Sequence, residues 1–139
     1  MAISAEVRCK NMDVVPESVV DELLKIGVPV NVDGFPYLAT TLTLVIRDPS
    51  KVNSLVKGLY TEVAEMYEST PSRVNKAISS AIRSSWSKGD IKYQHQLFGS
   101  SVSSITGSPT NLEFIVRVSD NLRKLEKLRK LVVSGESGS

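Results

Sequence analysis

The sequence is poor in the side chains that build metal centres and covalent cross-links. Among 139 residues there is one cysteine, Cys9, and one histidine, His95. A lone cysteine excludes an intramolecular disulfide, and with a lone histidine it leaves structural zinc without its clustered ligands. Both are read as residues with no chemical role, and no cofactor is expected. No apolar run approaches the roughly 18 residues of a membrane span, and the opening "MAISAEVRCKNMD" has no apolar segment of the signal-peptide kind. The expectation is a reducing, cytoplasmic setting with no membrane partner. Charge of one sign is missing as well: the net charge is +2, so a nucleic-acid partner has to show as local clustering. There is no nucleophile-plus-base pattern, no glycine-rich phosphate loop after a strand, and no pair of carboxylates over an obvious pocket, so an enzyme is not expected.

What is present is helical periodicity over a length sufficient for one core. Hydrophobic residues make up 41% of the chain, enough for a single domain. Val15, Val19, Leu23 and Ile26 recur at helical spacing and stop at Gly27, with Pro29 just beyond. "GFPYLATTLTLVIRDP" is rich in β-branched residues that also suit a strand, but Leu38, Leu42, Val45 and Ile46 fit a helical stripe better than strict alternation. "PSKVNSLVKGLYTEVAEMYEST" reads as a short helix, a break at Lys57-Gly58, and a compact helix carrying Leu59, Val63, Ala64 and Tyr67. "GDIKYQHQLFG" adds a short helix, and residues 99–109, "GSSVSSITGSP", read as a loop or small hairpin. From Thr110 a long last helix places Phe114, Ile115, Val118, Leu122, Leu125 and Leu128 on one stripe. The expected organisation is a flexible lead-in over 1–12, an all-α domain over 13–133 with a C-terminal helical extension, and a disordered tail over 134–139.

Charge clusters in one place. Between Pro71 and Lys92 stand Arg73, Lys76, Arg83, Lys88 and Lys92 against Asp90 alone, a local net charge of +4. Thr70 sits where a helix N-cap belongs and Pro71 at the first helical position, where its missing N–H costs nothing. Wound at 3.6 residues per turn, "TPSRVNKAISSAIRSSW" puts Val74, Ala77, Ile78, Ala81 and Ile82 on one side, and Arg73, Lys76, Ser80, Arg83 and Ser87 on the other, with Ser72 and Ser79 beside them. Short hydroxyls permit close approach while Arg and Lys reach phosphates or base edges, a mixture suited to the major groove. The plain alternative is a solvated surface helix that is basic. The preceding compact helix, with small Ala64 where two helices would cross steeply, completes a helix-turn-helix pattern over about 58–88.

The pieces "LLKIGVPVNVDGFPYL", "LYTEVAEMYESTPSRVNKAISSAIRSSWSKGDI", "LFG" and "GSPTNLEFIVRVSDNLR", in this order and spacing, resemble the C-terminal DNA-binding domain of the sporulation-initiation response regulator family. The resemblance covers Leu23 to Arg123. It implies about six helices, the third and fourth forming the helix-turn-helix. It also implies double-stranded DNA as partner, binding as tandem copies to short boxes upstream of promoters, and contact with RNA polymerase sigma factor. The DNA-binding residues it carries over are Arg73 and Lys76, with Ser79 and Ser80 as positions, and the basic helix itself adds Ser72, Arg83 and Lys88 as phosphate contacts.

Two departures stand beside the match. Family members commonly carry Glu-Arg where this chain has Asn75-Lys76, and Arg-His where it has Ser79-Ser80. A lysine keeps a phosphate or guanine contact but loses the bidentate fork of arginine. The family's regulator also has a receiver domain, for which these 139 residues have no room, and Asp13 and Asp33 do not sit in a receiver pattern. The chain is therefore read as an excised effector domain or a stand-alone relative. A second functional reading is a protein-interaction module that binds a related regulator or a polymerase subunit, since "DNLRKLEKLRKLVV" continues as an amphipathic basic helix. Against it stands the reading of that segment as a last core helix running into solvent. Trp86 is expected at or near the core.

Overall fold

The computed structural model describes residues 3–99 and 107–137, and among these the chain forms seven α-helices and no strand. They are α1 (Ala5–Met12), α2 (Glu17–Ile26), α3 (Gly34–Arg47), α4 (Tyr60–Met66), α5 (Pro71–Lys88), α6 (Ile91–Phe98) and α7 (Asn111–Ser137). The all-α reading stands. The segment expected to be a loop or hairpin over 99–109 falls largely outside the described residues.

Helix α3 is the axis of the fold. Its residues are buried from Gly34 through Thr43, on every side, the pattern of a helix wrapped by others. Leu38 and Leu42 meet Val19, Leu23 and Ile26 of α2, Val74 and Ile78 of α5, and Phe114, Ile115 and Val118 of α7 in one core. Its threonines are accommodated by local bonds: Thr43 Oγ1 donates to the Ala39 carbonyl at 2.7 Å, and Thr40 Oγ1 shares a 2.7 Å hydrogen bond with the Tyr67 hydroxyl. Trp86 is half-buried, edge-on to Phe98 at 5.0 Å and to Phe114 at 6.2 Å between ring centroids. It closes the core at the far end of α5, as expected.

Three expectations are corrected. Residues 1–12 were expected as a flexible lead-in, yet Ala5–Met12 is helical, N-capped by Ser4. Polar contacts fix it: the Ile3 N–H donates to Asp33 Oδ1 at 3.3 Å, Arg8 reaches Asp33 at 3.8 Å, and buried Asn11 donates to the Met66 carbonyl at 2.8 Å. The break expected at Lys57-Gly58 is a continuous π-helical turn, Leu55–Leu59, leading directly into α4. At the other end, α7 runs through Ser137 into the segment expected to be disordered. Its stripe is buried only as far as Leu122; Leu125 and Leu128 are exposed.

Candidate nucleic-acid interface

The turn between α4 and α5 is built by backbone hydrogen bonds. Glu68 takes a left-handed conformation, φ 53°, immediately past the end of α4. This lets the Ser69 N–H reach the Ala64 carbonyl at 2.8 Å and the Glu68 N–H the Glu65 carbonyl at 3.3 Å, the paired closure of a Schellman turn. The chain then extends at Thr70, whose Oγ1 accepts from the Arg73 N–H at 3.2 Å, and α5 begins at Pro71. Ala64 and Val63 of α4 pack with Val74 and Ile78 of α5. Asn11 of α1 caps the Met66 carbonyl from behind. The resulting helix-turn-helix is held on one side by α1 and on the other by α3, where Gly34 lies so close that an added Cβ would stand 2.3 Å from the Ala77 carbonyl oxygen.

Packing settles which face of α5 is free. Val74, Ile78, Ala81, Ile82 and Ser85 are buried. Ser72, Arg73, Lys76, Ser80, Arg83 and Lys88 are all exposed. At 3.6 residues per turn Arg73, Lys76, Ser80 and Arg83 fall within an arc of roughly 80°, nearly opposite the buried stripe. Among the described residues none of these basic groups makes an ion pair; the pairs present are Arg8–Asp33, Lys51–Glu62, Lys124–Asp120 and Lys130–Glu126. Unpaired cations on a convex helix face retain their full attraction for phosphate. Lys88 is not brought together with the arc's start: it lies about 22 Å along the axis from Arg73 at 1.5 Å per residue, farther than the roughly 12 Å width of a major groove.

Ser79 is placed differently from its neighbours. It is half-buried, and its hydroxyl donates to Asn111 Oδ1 at 3.1 Å. The Asn111 amide in turn donates to Asn75 Oδ1 at 3.0 Å, to the Asn75 carbonyl at 3.3 Å and to the Tyr60 hydroxyl at 3.2 Å. Ser79 and Asn75 therefore anchor α5 to the start of α7 and α4. Burial pushes the Tyr60 phenol up to about 12, against the opposing pull of the Asn111 hydrogen bond. Asn111 was not singled out from the sequence, and no local pattern marks it, because its partners lie 32 to 51 residues away. Glu62 likewise serves as a structural partner, its carboxylate 2.8 Å from Lys51 Nζ.

Residues 19–122 match the family described as sporulation initiation factor Spo0A C terminal. The match takes in α3 to α6, most of α2 and the buried part of α7, hence the whole helix-turn-helix and the core behind it. Among the described residues no helix is long and apolar enough to cross a membrane. With three quarters of its length matched, the chain belongs to the Spo0A C-terminal family, the DNA-binding effector domain of sporulation-initiation transcription regulators.

Proposed function

We propose that this chain is a sequence-specific DNA-binding transcription regulator that lays α5 in the major groove. The observation that carries the reading is the exposed, unpaired basic arc of α5 set opposite its buried stripe. Arg73, Lys76 and Ser80 take base edges or nearby phosphates, since the N-terminal part of a recognition helix enters the groove. Ser72, Arg83 and Lys88 sit on phosphates, with Lys92 of α6 beyond them. Ser79 contributes by fixing the helix against Asn111 rather than by reading a base. Binding as tandem copies on promoter-upstream boxes, contact with RNA polymerase sigma factor and work in the cytoplasm at the nucleoid belong to the same proposal.

Selection of bound duplexes from a random DNA pool tests it, run at low and high salt with Arg73→Ala alongside. The expected result is one enriched motif for the parent protein. Removing a bidentate base contact costs about 1–3 kcal/mol, so Arg73→Ala should bind that motif tenfold or more weakly. With four or five phosphates neutralised, log affinity should fall against log salt with a slope of roughly −4. No enriched motif, or an Arg73→Ala protein that binds as the parent does, overturns the assignment. In that event the chain is better sought as a partner-binding relative.

A further inference from the structure

Helix α7 continues past Leu122, where its burial stops and the family match ends. Leu122 is 7% exposed, whereas Leu125, Leu128, Leu131 and Val132 are 49, 58, 67 and 59% exposed. Ten residues at 1.5 Å carry this segment about 15 Å beyond the core. Leu125, Leu128 and Val132 continue one face of the helix, while Arg123, Lys127 and Lys130 occupy the opposite one. An isolated helix of that length is marginal in water, so a leucine face projecting from the domain calls for a cover.

The same molecule holds a surface of matching chemistry. Helices α2 and α7 wall a groove of about 800 Å³ with Leu24, Ile46, Leu122 and Leu125 in its lining and Asp21 at its rim. Leu24 is 49% exposed there. Helix α2 exposes Glu17 and Asp21 against Lys25, Glu22 being buried on Tyr93 and Asn121, whereas residues 123–132 bear Arg123, Lys124, Lys127, Arg129 and Lys130 against Glu126. Leucine meets leucine and the signs are opposite, the arrangement of complementary interfaces. Within its own chain the segment borders the groove only through Leu125, Glu126 and Arg129, as part of its wall, and Leu128, Leu131 and Val132 stay outside it. A second copy has no such restriction, and a reciprocal exchange closes with two-fold symmetry.

We infer that α7 beyond Leu122 is a dimerisation arm whose leucine face lies in the α2–α7 groove of a second copy, each copy receiving the other's arm. The inference does not depend on what α5 reads. Sedimentation equilibrium of the full chain, up to roughly 100 µM, should give a dimer. Leu128→Glu, at a position clear of the core, should raise the dimer dissociation constant at least tenfold with unchanged helicity. Asp21→Lys, which reverses the charge at the groove's rim, should also weaken self-association. A chain that stays monomeric over the range, whether or not its arm binds anionic lipid vesicles, overturns the inference. So does a dimer indifferent to Leu128→Glu or to Asp21→Lys.

Discussion

At Glu68 the backbone takes a conformation that glycine adopts without cost and that a residue with a Cβ resists. The position is imposed by the two hydrogen bonds that close α4 onto Ala64 and Glu65; without the left-handed residue the chain could not turn tightly enough to start α5 at Thr70. The glutamate offsets part of the strain by placing a negative charge just ahead of the α5 N-terminus, an effect worth a few tenths of a kcal/mol at an exposed site. Glu68→Gly should therefore stabilise the domain by about 0.5–1 kcal/mol. Thermal unfolding followed by circular dichroism should show a midpoint raised by a few degrees; a lowered midpoint would mean that the side chain holds the turn. The same scale separates Ser79 from Ser80. One helical step turns the first into the Asn111 network and leaves the second in solvent, in keeping with a spacing that puts Ser80 on the basic face and Ser79 only beside it.

Between elements, the ends of α2 and α5 are joined by one side chain. Gln94 of α6, 1% exposed, donates its amide to the Ile26 carbonyl at 2.9 Å and the Ser85 carbonyl at 2.7 Å. Gly27 and Gly89 let the two backbones meet: a Cβ on Gly27 would stand 2.5 Å from Gly89 Cα. Gln94→Leu keeps the volume but takes the amide donor from the Ile26 carbonyl, at a cost of about 1–3 kcal/mol for a stranded acceptor, and leaves the Ser85 carbonyl with the Gly89 N–H at 2.7 Å. A loss of about 1–3 kcal/mol in urea-unfolding free energy is expected on that basis, and a variant within about 0.5 kcal/mol of the parent, by the same scale, would show that the Ile26 carbonyl finds another donor. Elements written in local chemistry were legible beforehand. Gly27 with Pro29 marked the end of α2, Thr70 with Pro71 marked the start of α5, and 3.6-residue spacing separated the basic arc from the core. Elements held by distant polar contacts were not. Helix α1 offers only partly buried Val7 and Met12 to the core, with Ile3 just ahead of it, and relies on Asn11, whose partner Met66 is 55 residues away. Gly58 suggested a break, yet the π-helical turn passes through it with Ser54 close by, 3.2 Å from where its Cβ would be.

Across the whole molecule, three tyrosines at helix junctions hold their protons more firmly than free tyrosine does. Burial raises Tyr60 to about 12. Burial also raises Tyr67, whose hydroxyl is bonded to Thr40. Tyr93 is raised by burial and by donating its hydroxyl to the Glu22 carboxylate, whose second oxygen accepts from Asn121 of α7 at 2.9 Å. In the unfolded chain all three titrate near 10. Because the folded values lie above the unfolded one, their contribution is fully present below about pH 10 and is lost as pH rises beyond it, when the unfolded chain releases protons that the folded chain retains. For Tyr60, with no surface open to solvent, the loss approaches about 1.4 kcal/mol per pH unit between its unfolded and folded values. Urea midpoints measured from pH 8 to pH 11.5 should be level at first and fall steeply above about pH 10. Tyr60→Phe should start lower, having lost the Asn111 contact, and descend less steeply. A parent midpoint unchanged to pH 11.5 would mean that these phenols titrate as they do in the open chain. The joints they make between α4, α6, α2 and α7 would then be open to water, and the rigid backing of α5 would have to come from the apolar core alone.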